Sequence, residues 1–105
     1  GMTNATLMPY VLAFNRHAIE ERIARLAAYL GLPQANFDGF QAFVLNLRQQ
    51  VGIPHTLGEL GVDAARSKEI AAMAIQDPSA GGNPVQFDLS AARAILAAAF
   101  AGRID

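Results

Sequence analysis

The chain has 105 residues, which is enough for one domain with a single hydrophobic core. Its formal net charge is −1, and its eight basic residues are scattered rather than arranged in a stripe, so a nucleic-acid-binding surface is not expected. The absence of cysteine excludes disulfides, thiolate zinc sites and cysteine nucleophiles, and it is compatible with a reducing cytoplasm.

The high fraction of hydrophobic residues favours a contact surface with another protein, but it does not indicate a membrane-spanning segment. Hydrophobic residues make up 52% of the chain and charged residues 16%, whereas a typical soluble domain has about 25% charged residues. A partner surface, a missing domain or self-association would each explain this balance, and so would an alanine-rich bundle with small side chains. No apolar run reaches the roughly 18–20 residues of a membrane span, and no signal-type core follows the N-terminus, so we expect a cytoplasmic protein without a membrane partner.

The first two helices are predicted from the spacing of apolar residues. Thr3 to Asn15 is apolar nearly all round, so we expect this helix to be buried on several sides. Pro9 lies either in its first turn or at a kink in a longer helix. The second helix runs from about His17 to Leu30 and ends at Gly31 and Pro33.

Four side chains predict where the later helices begin, because a side-chain oxygen at the N-cap accepts a backbone N–H of the first turn. The predicted caps are Asn36 for a helix to about Val51, Thr56 for the single turn Leu57 to Leu60, Asp63 for a helix to about Gln76, and Asp88 for Leu89 to Ala101. Gly102 is the expected stop of the last helix. No segment alternates with period two, so we predict a single all-α domain over residues 1–105 with about five helices.

The stretch from Asp77 to Pro84 is the densest cluster of turn residues in the chain. Adjacent glycines followed by Asn83-Pro84 allow a sharp bend and a close approach to another group. A loop with this much special chemistry suggests a functional role, although turn geometry by itself also explains it. It is not a phosphate-binding loop, because no Lys-Ser/Thr pair follows the glycines.

No complete active site is expected within the chain. His17 and His55 are the only histidines, they are far apart, and a metal site needs three or four ligands. No serine stands in a Gly-x-Ser-x-Gly context, and the carboxylates Glu20, Glu21 and Glu69 fall on predicted solvated faces. The start of the last helix could attract an anion, but the carboxylate of Asp88 would oppose it.

Three segments carry a family pattern in a fixed order. Asn4 to Asn15 follows Asn-Ala-x-Leu-Leu-Pro-x-Val-x-x-Phe/Tyr-Asn, with Met8 in place of one leucine. The other two segments are Gly52 to Val62, which reads Gly-Ile-Pro-x-x-Leu-x-x-Leu-Gly-Val, and Ala71 to Asp77 with the closing Gly82-Asn83-Pro84. Together they resemble iron-containing (group III) alcohol dehydrogenases over essentially the whole chain.

The resemblance implies the C-terminal part of the helical domain of this dehydroquinate synthase-like fold. Such enzymes place Fe²⁺, sometimes Zn²⁺, on one Asp and three His between that domain and an NAD(P)-binding α/β domain. All four ligands precede the first matching residue, so the resemblance implies an isolated chain that is inactive and holds neither metal nor NAD(P). Its expected partner is a second copy or a separate nucleotide-binding half. The alternative is a stand-alone helical interaction or oligomerisation module.

The resemblance also assigns a few residues. Ser79 and Gly82 become candidate walls of the substrate pocket, and Asn83 becomes a candidate stabiliser of the same loop. Asn4 would lie on the helix that leaves the metal site. His55 stands at a variable position of its motif, so the resemblance implies no catalytic role for it.

Overall fold

Helical spacing and polar caps produce six α-helices and one 3₁₀ turn in the part of the chain that the structure describes. The computed structural model describes residues 2–76, 82 and 84–104. The helices are α1 (Met2–Phe14), α2 (Arg16–Tyr29), α3 (Phe37–Gln50), α4 (Leu57–Leu60), α5 (Ser67–Ile75) and α6 (Leu89–Ala101), and the 3₁₀ turn spans Ala64–Arg66. No strand occurs in the described ranges, so the all-α prediction is confirmed.

Three of the four predicted caps are confirmed by hydrogen bonds. The side chains of Asn36, Thr56 and Asp88 accept backbone N–H groups of α3, α4 and α6 at 2.8, 3.1 and 2.8 Å. Asp63 differs from its prediction, because it accepts the N–H of Ala65 at 2.9 Å and caps the 3₁₀ turn instead of α5. An acceptor bonded only two residues ahead favours the tighter turn, and α5 follows directly from it.

Helix α1 is continuous through Pro9, which lies in its interior rather than in the first turn. Proline removes the amide that would bond the carbonyl four residues earlier, so the carbonyl of Ala5 loses its helical partner. Only Thr6, Pro9 and Tyr10 of this helix are buried. Leu7, Leu12 and Phe14 are partly buried against the hydrophobic core. The expectation that α1 is buried on several sides is therefore met except at its first turn and at Met8, which is exposed.

The apolar interior forms two clusters. The larger joins α1, α4, α5 and α6 through Tyr10, Leu57, Ala71, Ala92, Ile95, Leu96 and Ala99. The smaller joins α2 to α3 through Ala27, Phe40 and Val44. Alanines on α6 allow α5 to approach closely, so the alanine-rich composition serves close packing of short helices.

Candidate functional site

A buried arginine ties the first helix to the third. Arg48 of α3 is only 6% exposed. Its guanidinium donates to the carbonyl oxygen of Thr6 at 2.7 Å and to Nδ1 of His55 at 2.5 Å. Among the described residues no carboxylate forms an ion pair with it, so its hydrogen-bond partners are neutral acceptors. A charged group buried in this way would be strongly destabilising without those hydrogen bonds.

His55 continues the same cluster to the end of the last helix. Its Nε2 lies 3.1 Å from the carbonyl oxygen of Gly102. Arginine can only donate, so Nδ1 accepts from Arg48, and Nε2 carries the proton and donates to Gly102. A Cβ at Gly102 would lie 3.3 Å from the imidazole, and its φ is +79°, so glycine is required there by both space and backbone conformation. His55 is thus a structural bridge with both ring nitrogens engaged.

Tyr10 of α1 also belongs to this cluster. Its hydroxyl donates to the backbone carbonyl of His55 at 2.5 Å. Burial raises the pKa of the Tyr10 hydroxyl, and the nearby Arg48 opposes that rise only in part. The cluster of Thr6, Tyr10, Arg48, His55 and Gly102 therefore locks three distant parts of the chain together. No sequence pattern predicts this cluster, because its hydrogen bonds join residues up to 47 positions apart and follow no spacing rule.

The residues of this chain do not fit the metal that the resemblance implies. Within residues 2–76, 82 and 84–104 no group of three His, Cys, Asp or Glu side chains lies close enough to hold an ion. His17 is exposed on α2, while both ring nitrogens of His55, which is also exposed, are engaged by Arg48 and Gly102. The carboxylates Glu20 and Glu69 are exposed and pair with Arg16 and Arg66, respectively. We therefore derive no metal-dependent step for this chain.

The predicted pocket-wall residues fall mostly outside the described ranges. Ser79 and Asn83 are not among them, so their roles remain predictions. Gly82 is exposed, and nothing described lies within 4 Å of the place where a Cβ would stand. Asn4 is exposed near the start of α1.

The segment that follows this loop is anchored to the end of α1. Oδ1 of Asn15 accepts the backbone N–H of Val85 at 3.2 Å, and its Nδ2 donates to the carbonyl of Val11 at 2.9 Å. Asn15 is the last residue of the first family motif, and no pattern in the sequence predicts this role for it. Its amide sets the position from which the chain enters α6.

The start of α6 is already occupied by its own cap. The carboxylate of Asp88 accepts the N–H of Ala91, which is one of the amides that an anion would use. A bound phosphate would therefore meet a negative charge, as the sequence predicted. In the described residues, no helix is both long enough and apolar enough to cross a bilayer.

Comparison with known proteins decides the family. The profile described as "Fe-containing alcohol dehydrogenase family, C-terminal" matches residues 1–100. The chain belongs to the iron-containing alcohol dehydrogenase family. The resemblance seen in its three motifs is thereby confirmed, and the helical architecture agrees with the C-terminal domain of this family.

Three relatives illustrate the match. The chain is 33% identical over 93 residues to 1,3-propanediol dehydrogenase of Citrobacter freundii, covering 80% of this chain and 23% of that enzyme. It is 32% identical over 109 residues to 1,3-propanediol dehydrogenase of Klebsiella pneumoniae, covering 95% and 27%. It is 30% identical over 110 residues to the NADPH-dependent butanol dehydrogenase of Clostridium saccharobutylicum, covering 97% and 28%. No solved structure shows a significant match.

The chain spans about a quarter of the length of these relatives. The matched family region is C-terminal. The similarity therefore concerns one helical part of a larger enzyme.

Proposed function

We propose that this chain is the C-terminal helical portion of an iron-dependent, NAD(P)-linked alcohol dehydrogenase-type oxidoreductase and that it is inactive in isolation. The family match over residues 1–100 carries this proposal. The names of relatives that reduce or oxidise small alcohols support the reaction class. Only two histidines are present in the chain, and the family's metal needs three with one aspartate, which supports inactivity in isolation.

The substrate-facing part of this portion would be the loop at Ser79, Gly82 and Asn83, and the hydride-transfer chemistry would come from iron and NAD(P) bound elsewhere. The chain's own contribution is positional. Asn15 holds the segment behind the loop, and the Arg48–His55 cluster holds α1 against the end of α6. We propose a cytoplasmic location, as for an enzyme that uses a nicotinamide cofactor.

The direct test is an assay of the purified chain with Fe²⁺, NAD(H) or NADP(H), and short alcohols or aldehydes. We expect no turnover above that of a preparation from cells with an empty vector. Turnover that copurifies with the chain through two further columns would contradict the claim of inactivity. Metal analysis of the same sample should give less than about 0.1 iron per chain, because the ligand set is absent.

A second candidate is a stand-alone helical module that self-associates or binds a separate nucleotide-binding half. It is favoured by exposed apolar side chains on the α2–α3 pair. These are Leu26, Tyr29, Leu30, Phe43, Leu47 and Val51, which is the next residue after α3. Within each helix these residues are three or four positions apart and are therefore surface neighbours, which distinguishes them from scattered single exposures.

Sedimentation velocity separates the two candidates. A module that self-associates would form a dimer at micromolar concentration, and Leu47→Glu would return it to a monomer. A wild-type chain that stays monomeric up to about 100 µM would contradict self-association, since interfaces of standard size have dissociation constants from about micromolar to picomolar. Copurification of a nucleotide-binding protein from the native host would support the partner-half version.

A further inference from the structure

The imidazole of His55 stands between the side chain of Arg48 on α3 and the end of α6. Its Nδ1 lies 2.5 Å from a terminal nitrogen of Arg48, and its Nε2 lies 3.1 Å from the carbonyl oxygen of Gly102. A guanidinium can only donate hydrogen bonds, and a carbonyl oxygen can only accept them. Both bonds therefore form together only when the ring is neutral and carries its single proton on Nε2.

The two groups that meet at Nδ1 differ in their freedom to move. Arg48 is 6% exposed, and it also donates to the carbonyl oxygen of Thr6 at 2.7 Å. Its guanidinium carbon lies 5.9 Å from the centre of the Tyr10 ring. His55 is exposed, so a charged imidazole gains hydration when it turns outward. If the two groups repel each other, the imidazole is therefore the one that moves.

The charged and titratable groups around the ring act in opposite directions. Arg48 disfavours a second proton at Nδ1, because the new N–H would face a guanidinium N–H and place two positive charges side by side. Glu59 of α4 lines the same cleft of about 470 Å³, and its carboxylate favours a charged ring. The carbonyl of Gly102 lies at the C-terminal end of α6, where a cation is also favoured. The hydroxyl of Tyr10 on α1 donates to the backbone carbonyl of His55 and keeps its proton near neutral pH, since burial raises its pKa.

We propose that His55 is a proton-sensitive link: a second proton, taken from solvent at Nδ1, breaks its hydrogen bond to Arg48 while its bond to Gly102 remains. The proton stays on the ring, and no covalent bond of the backbone or side chains breaks. Histidine ordinarily gains this proton between about pH 8 and 5, so the change falls near neutral pH. In the charged form α3 is released from the segment that carries His55, whereas Arg48 keeps its bond to Thr6. The link lies within this chain, so it is independent of the proposed function.

Nuclear magnetic resonance of the ¹⁵N-labelled chain between about pH 8 and 5 tests the proposal, because the imidazole nitrogens report their own protons. At the upper end of this range we expect a proton on Nε2 of His55 and none on Nδ1. As the ring gains its second proton, the guanidinium N–H groups of Arg48 should exchange with water at least about 10-fold faster relative to those of Arg93, which is exposed on α6. The backbone N–H of Gly102, which donates to the last turn of α6, should keep its protection, because the link to α6 remains.

Three variants identify the responsible group. His55→Gln keeps a hydrogen-bonding side chain that cannot gain a proton, so the exchange at Arg48 should no longer change with pH relative to Arg93. His17→Gln removes the other histidine, which is exposed on α2, and should leave the change intact. Glu59→Gln removes the carboxylate of the cleft and should also leave the change intact.

Several outcomes would overturn the proposal. One is a neutral ring with its proton on Nδ1, and another is an exchange rate at Arg48 that stays constant relative to Arg93 while His55 gains its second proton. A change that persists in His55→Gln, or that disappears in Glu59→Gln, would assign it to another group. An equal loss of protection at the backbone of Val44, in the core of α3, would indicate unfolding of the whole chain instead of one broken link.

Discussion

At the scale of single residues, the most consequential group is the guanidinium of Arg48. It donates to the buried carbonyl of Thr6 at 2.7 Å and to Nδ1 of the exposed His55 at 2.5 Å. We expect Arg48→Met, which keeps an unbranched side chain, to lower the free energy of unfolding by about 1–3 kcal/mol, because the buried carbonyl of Thr6 loses a charged donor. Urea unfolding followed by circular dichroism measures this loss. Arg93→Met on the exposed side of α6 is the matched control and should change stability by less than about 0.5 kcal/mol.

Tyr10 makes stability depend on alkaline pH. Burial raises the pKa of its hydroxyl above the ordinary value of 10.0. The unfolded chain therefore loses this proton first, and the free energy of unfolding should fall as the pH rises from about 10 towards the higher folded-state pKa. Urea unfolding at intervals between pH 9 and 11 tests this. Tyr10→Phe should flatten the slope, whereas Tyr29→Phe should leave it unchanged, because Tyr29 is exposed. An identical slope in the Tyr10→Phe variant would contradict the assignment.

At the scale of elements, α6 depends on its first residue as well as on its core. The carboxylate of Asp88 accepts the N–H of Ala91 at 2.8 Å. Asp88→Ala should cost about 1 kcal/mol of stability, because the amide loses its cap, while Asp88→Asn should cost only a few tenths. Thermal unfolding of both variants gives the comparison. Equal losses in the two would indicate that charge, and not the cap bond, supports the helix.

At the scale of the whole molecule, an apolar cavity lies between α1, α5 and α6, and the described residues that line it include Leu7, Ala74 and Ile95. Ala74→Leu on α5 places three more carbon atoms into the space of about 130 Å³. We expect it to stabilise the isolated chain by about 0.5–2 kcal/mol, as cavity-filling substitutions commonly do. Ala72→Leu, on the exposed side of the same helix, should have little effect. Urea unfolding of both variants measures the difference. Equal changes in the two would contradict the filling of the cavity by Leu at position 74.

The features that could be predicted from the sequence depend on interactions between residues no more than four positions apart. Asn36, Thr56 and Asp88 mark helix starts because a cap bonds an amide only three residues ahead. Asp63 predicted the wrong helix start, because it bonds an amide only two residues ahead and begins a 3₁₀ turn instead of α5. The family motifs were equally local, and they led to the correct family. The roles of Ser79, Gly82 and Asn83 stay predictions, and nothing described lies within 4 Å of a Cβ placed on Gly82.

The sequence by itself determined that the protein is all-helical, where its helices lie and to which family it belongs, because these depend on short-range spacing, capping and motif order. Only the tertiary structure decided how the helices are held. The bonds from His55 to Gly102 and from Val85 to Asn15 join residues 47 and 70 positions apart, and no spacing rule relates such residues. It also decided that α1, apolar on every side, buries Thr6, Pro9 and Tyr10 and leaves Met8 exposed. That difference arises because burial depends on which neighbours the fold supplies.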